Sequence, residues 1–324
     1  IKIMGKEVAA QETNPGSDSG GHGPFLTGIC AWQRIHLIRP LQTLRSVEPI
    51  AKIISEAPIL LVSLWIIWYW CVDPRGAVRG IFLVPICEIS NAILKQYFRH
   101  PRPGWIREHP VEYKQWSAEY SFPSSDMQLV ASNAIYLFGR HPVHLVVVLV
   151  IVGVNRLHRG AHYLHDVVAG TVVGLLLTYT YIRFGFEDML ENMTYSLSTR
   201  LLTIVCSLPL VAMKFLVGHR ASAATAQADP VAWEKKANSG REKFRSLDTD
   251  EGHMKQFSGM YGLFVAFALT NPRPDELMEL PRNSREFYGR IVFGQMVVIG
   301  VFLGIASISP KTPPLMMHVF RSIQ

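Results

Sequence analysis

Three short segments hold residue types that together can handle a phosphate group. The first runs from Lys95 to Pro103 and contains Lys95 and Arg102. The second runs from Phe122 to Asp126 and contains Ser124, Ser125 and Asp126. The third runs from Asn155 to Asp166 and contains Arg156, His162 and Asp166. Arg102 and Arg156 can each grip phosphate oxygens bidentately, and Lys95 adds a point charge. Ser124 and Ser125 precede an apolar run, so their amides stand at a predicted helix N-terminus, where anions bind. The i,i+4 spacing of His162 and Asp166 predicts one shared helix face. Asp166 then takes the proton on one imidazole nitrogen, which leaves the other free to attack phosphorus. Singly, each piece has an ordinary explanation: an arginine at a helix end usually snorkels, and a His–Asp pair usually lies on the surface. Their conjunction points to phosphate chemistry. The cysteines Cys30, Cys71, Cys87 and Cys206 show neither metal-ligand nor disulfide spacing, so no metal or other cofactor is expected.

Apolar runs must position these segments. Of the 324 residues, 49% are hydrophobic, and mean hydropathy is +0.18, too apolar for an ordinary soluble domain. Lys and Arg number 32 against 25 Asp and Glu. A basic balance suits nucleic acid, an anionic membrane or phosphorylated substrates; the apolar runs favour the last two and argue against nucleic acid. The runs are 57–72, 81–94, 127–138, 143–154, 167–182, 201–217, 259–270 and 291–308. Several fall short of the ~20 residues a spanning helix needs, so polar ends must complete them against a protein-lined cavity. The expectation is an all-α, multi-pass membrane bundle of about eight helices. Residues 1–47 are read as a polar tail followed, from 25, by either an amphipathic surface helix or a packed segment. Residues 48–184 carry the three motifs; 185–324 add helices around a polar loop at 218–257. Each motif sits at the end of an apolar run, so all three can meet at one membrane face. With eight helices, the Lys/Arg bias of the tails and of that loop turns this face toward the cytosol or its equivalent.

The motifs resemble those of the type 2 phosphatidic acid phosphatase superfamily of membrane-bound lipid phosphatases and vanadium haloperoxidases. The family pattern is Lys-x6-Arg-Pro, then Pro-Ser-Gly-His, then Ser-Arg-x5-His-x3-Asp. Lys95, Arg102 and Pro103 match the first fully. Arg156, His162 and Asp166 match the third, with Asn155 in place of Ser. The middle motif reads Pro123-Ser124-Ser125-Asp126. Ser in place of Gly resembles the variant of sphingoid-base and polyprenyl-diphosphate phosphatases; Asp126 in place of His is a departure. The resemblance implies that His162 forms a phosphohistidine, that Lys95, Arg102 and Arg156 stabilise developing charge, and that no metal is needed. It also implies that the general acid for the leaving group is replaced by Asp126.

Further polar residues have competing readings. Glu88 is a functional intramembrane carboxylate or, preferably, a structural partner of Lys95 or Arg156. His158 and His165 are substitute general acids or ordinary neighbours. Trp105, Tyr113, Trp116 and Tyr120 read as an interfacial aromatic belt. The expected function is hydrolysis of a lipid phosphate or diphosphate, of the polyprenyl-diphosphate, sphingoid-base phosphate or phosphatidate class, drawn from the bilayer. The rival is an impaired family member that serves as a membrane-complex subunit or lipid-binding scaffold.

Overall fold

A computed structural model of the chain describes residues 24–56, 64–65, 68, 73–106, 110–112, 119–138, 141–185, 285 and 289. Among these, every regular element is helical. α1 (Pro24–Gln33) passes through a π-helical turn (Arg34–Ile38) into α2 (Arg39–Gln42). Then come α3 (Glu48–Ser55), α4 (Pro74–Phe98), α5 (Ser125–Phe138), α6 (Pro142–His158) and α7 (Leu164–Arg183). Prolines open α3 and α6, where the missing amide costs nothing. The runs at 81–94, 127–138, 143–154 and 167–182 fall inside α4 to α7. The runs at 201–217, 259–270 and 291–308, the loop at 218–257 and nearly all of 57–72 lie outside the described residues, as do Tyr113 and Trp116. The eight-helix count and the orientation built on it rest on those segments.

Two described stretches, Arg79–Trp105 and Leu164–Arg183, are long and apolar enough to cross a membrane by length and composition; α6 is shorter. Both α6 and α7 present apolar stripes outward. Val143, Val146, Val147, Val150 and Val154 are exposed along α6, and Val168, Val172, Leu176 and Tyr179 along α7. Continuous apolar faces of this kind suit hydrocarbon better than water.

The inner faces are polar as well as apolar. α5 packs against α4, α6 and α7. Asn91 Nδ2 donates to Gln128 Oε1 (2.9 Å), and Gln128 Nε2 donates to Ser90 Oγ (2.7 Å) and the Cys87 carbonyl (2.9 Å). Thr178 Oγ1 on α7 donates to the Ser132 carbonyl (3.1 Å). In a low-dielectric bundle such bonds hold helices together, because an unmet polar group has no water to turn to. The α5–α7 approach is close. A Cβ on Gly170 would lie 2.4 Å from the Ser124 carbonyl, and one on Gly174 would lie 2.4 Å from that of Gln128. The small residues at i and i+4 are what let the two backbones meet.

The segment from 25 packs into the body. Cys30, Ile38, Val111 and Tyr163 form one buried cluster. Arg34 Nη1 donates to Tyr163 Oη (2.9 Å), and the Leu164 amide donates to Gln33 Oε1 (2.8 Å). Trp105 and Tyr120, read as belt residues, are each only 2% exposed. Both lie in the connection between α4 and α5 and count among the buried core residues.

Candidate phosphate site

The three motifs converge where α4 and α6 end and α5 and α7 begin. Lys95 lies in the last turn of α4. Beyond it the chain straightens, since a residue before proline disfavours helix; Arg102 has φ −75° and ψ 152°. Arg156 lies in the last turn of α6, and the chain then turns through Gly160, at φ +62°. A side chain there would be strained and would also strike the Glu112 carbonyl, 2.4 Å from its Cβ. The Ala161 amide closes the turn on the Arg156 carbonyl (3.2 Å).

Lys95, Arg102, Ser124, Arg156, His162 and Asp166 are all buried, while Ser125 and Asp126 are partly exposed. Arg102 is the hub. Its Nε donates to the Glu119 carbonyl (2.7 Å) and its Nη1 to the Ala161 carbonyl (3.0 Å), and Nη1 also faces His162 Nε2 (3.3 Å). An arginine can only donate, so Nε2 is the acceptor and the ring proton sits on Nδ1. His162 Nδ1 lies 2.9 Å from the Ser121 carbonyl and 3.7 Å from Asp166 Oδ2. The tautomer is therefore held by Ser121. α7 starts at Leu164, so His162 precedes the helix, yet its Nδ1 still lies near Asp166 as the i,i+4 spacing suggests, with the Ser121 carbonyl closer. Asp166 instead accepts from the Tyr163 amide (2.8 Å) and from Ser121 Oγ. It braces the residue that braces the imidazole. Burial first, and then the cations Arg102, Arg156 and Lys95, hold the His162 imidazole well below its usual range, so it is neutral.

The expected amide nest is half spent. The Ser124 amide donates to the Asp166 carbonyl (3.1 Å), which links the start of α5 to α7. Ser125 is the first residue of α5, where the helix leaves amides unbonded. Lys95 Nζ reaches Ser125 Oγ (3.2 Å).

Each of two cations carries an internal carboxylate. Arg156 Nη2 meets Asp126 Oδ2 at 2.6 Å, and Lys95 Nζ meets Glu119 Oε2 at 2.7 Å. Glu119, and not Glu88, is the partner of Lys95. Sequence reasoning missed Glu119 and Ser121, which belong to no motif and reach the site only through loop geometry, and His100, which fills an unspecified position inside the first motif. The structure also gathers Cys30, His100 and His165, with one ligating atom from each within 4.8 Å of the others. No spacing rule finds that trio, since it comes from three distant segments.

Residues 77–189 match the family model of the PAP2 superfamily. That central third of the chain, which holds the candidate site, is thus similar to the PAP2 superfamily. Human sphingosine-1-phosphate phosphatase 2 is 27% identical over 136 residues, which cover 38% of this chain and 34% of that protein. The chain thus spans about a third of the length of the curated relative it matches. No solved structure matches it. The matched PAP2 segment contains all three motifs, the Asp126 departure included.

Proposed function

We propose that the chain is a multi-pass membrane phosphatase that hydrolyses a lipid phosphate or diphosphate through a phosphohistidine on His162. Residues 48–184 form its phosphatase core, and 185–324 supply the remaining helices of a bundle of about eight. The observation that carries the reading is a buried neutral imidazole whose unprotonated Nε2 faces Arg102 at 3.3 Å, within the fields of Arg156 and Lys95. Nε2 forms the N–P bond as the P–O bond to the lipid breaks. The departing oxygen keeps the electron pair and takes up a proton. Water then attacks the phosphohistidine, frees phosphate and restores the imidazole. Lys95, Arg102 and Arg156 stabilise the charge that develops on the transferred oxygens. The apolar outer faces of α6 and α7 support entry of a lipid substrate from the bilayer. The test is phosphate release from a panel of lipid phosphates. His162→Ala should lose at least ~10³-fold, and an acid-labile phosphoryl-enzyme should be trapped in the wild type alone. Equal release by both proteins rejects the reading.

The ion pairs on Arg156 and Lys95 favour a second reading, an impaired member acting as a membrane-complex subunit or lipid-binding scaffold. Asp126 decides between them. An alkoxide leaving group needs a proton as it departs, and a phosphate leaving group needs one far less. An active wild type should therefore turn over lipid diphosphates faster than monophosphates. Asp126→His should raise monophosphate turnover by up to ~10²-fold. If both proteins are folded and neither releases phosphate, the scaffold reading stands.

A further inference from the structure

Behind the phosphate site, Cys30 from α1, His100 from the loop after α4 and His165 from the first turn of α7 surround the far side of Asp166. Cys30 and His100 are buried, and His165 is partly so. His100 turns Nε2 toward Cys30 Sγ (3.7 Å) and Nδ1 toward Asp166 Oδ1 (3.9 Å). His165 turns Nε2 toward the same Oδ1 (3.2 Å) and Nδ1 toward α1, where it meets Gln33 Nε2 (3.2 Å). Both rings thus aim one nitrogen at a single carboxylate oxygen and present the other on the α1 side. Asp166 is fully buried, and this Oδ1 accepts no hydrogen bond of good geometry, whereas Oδ2 is engaged by Ser121 and the Tyr163 amide.

We propose that Cys30 Sγ, His100 Nε2 and His165 Nδ1 form a zinc site, with Asp166 Oδ1 as the carboxylate that orients both imidazoles. A metal-bound histidine characteristically donates its other N–H to a carboxylate, and here one carboxylate serves two. Thiolate and imidazole ligands suit Zn²⁺, whose bonds of about 2.0–2.3 Å require the trio, now within 4.8 Å of one another, to close in by about 1 Å. Charge balance agrees: the Cys30 thiolate and the Asp166 carboxylate neutralise a divalent ion in a buried place. The thiol gives up its proton to solvent as the S–Zn bond forms. The Gln33 amide nitrogen must shift from His165 Nδ1 to admit the ion, while its oxygen stays on the Leu164 amide. Water can complete the tetrahedron.

The site lies outside the reaction proposed above, and its test is independent of turnover. The full chain, stripped of metal in detergent, is titrated with Co²⁺ and then with Zn²⁺. The expected result is one equivalent of tetrahedral cobalt with a thiolate-to-metal charge-transfer band, displaced by zinc and accompanied by proton release. Cys30→Ser should abolish the band, and His165→Gln should weaken binding at least about tenfold. Circular dichroism must show unchanged helix content in each variant. No band in the folded wild type, or a band that survives Cys30→Ser, overturns the site. In that case the trio is a dry packing cluster, or another cysteine binds the metal.

Discussion

Asp126 holds the guanidinium that a phosphate would otherwise take, at 2.6 Å from Arg156 Nη2. An incoming anion must displace it, which costs binding. Removing its charge should relieve that competition. Asp126→Asn is therefore expected to bind orthovanadate, a phosphate analogue, about tenfold more tightly, the scale of one charge-assisted hydrogen bond. Competition titrations against wild type read this directly, and unchanged affinity would show that the pair opens at no cost. His162 has a pH signature. Because burial and three cations lower its pKa, it stays neutral below the ordinary imidazole range of ~6.5. The acidic limb of kcat/KM should lie below that range. Stability runs the other way: as pH falls through ~6.5, the unfolded chain gains a proton that the folded site excludes, so folding weakens. An acidic limb at ~6.5 assigned to His162 would contradict the burial argument. At this scale the motif residues were legible, because cations, serines and histidine at fixed spacings announce phosphate chemistry. Their partners were not. Glu119 and Ser121 carry no spacing signal, and the tautomer depends on the Ser121 carbonyl, which every residue type has.

Helix ends decide how these side chains aim. α7 begins at Leu164, so His162 lies just before the helix. The apolar runs fall inside α4 to α7, but they do not mark where α7 begins, and so they could not show that the Ser121 carbonyl stands closer to the imidazole than Asp166 does. The join between α5 and α7 also depends on glycine. Gly170→Ala would drive a methyl group against the Ser124 carbonyl and strain the Ser124–Asp166 backbone bond. Overpacking of this kind typically costs ~1–3 kcal/mol. The expected outcome is a lower melting temperature, with activity reduced even where the fold survives, because Asp166 moves with α7. Thermal unfolding in detergent checks the first part. A Gly170→Ala protein as stable as wild type would mean that the helices separate freely.

For the whole molecule, the apolar stripes of α6 and α7 imply contact with lipid. Cysteine introduced at Val150 should react slowly with a membrane-impermeant maleimide, and cysteine at His141, just before α6, quickly. Equal fast labelling would place the α6 face in water. Composition pointed to a membrane, and two described stretches are long and apolar enough to cross one. How the apolar runs pack was not legible, because a lipid-facing valine and a buried valine look alike in a sequence. The row of amides and hydroxyls on α5 bears on how the protein is made. Gln128 finds its partners in α4, the Ser132 hydroxyl accepts from Cys87 Sγ of α4, and Asn133 Oδ1 accepts from Trp65 Nε1, while from α7 Thr178 Oγ1 reaches only the Ser132 carbonyl. As it leaves the ribosome, α5 has its α4 partners but not yet the close packing against Gly170 and Gly174 of α7, so its polar face is left uncovered and it is a poor candidate to enter the bilayer alone. The insertion machinery should retain it until α7 has been synthesised. Nascent chains stopped after Phe138 should remain extractable by alkaline carbonate at this segment, and chains extended through Arg183 should resist. Biogenesis would then proceed by committing α5 and α7 together, and the catalytic pocket would close in the same event.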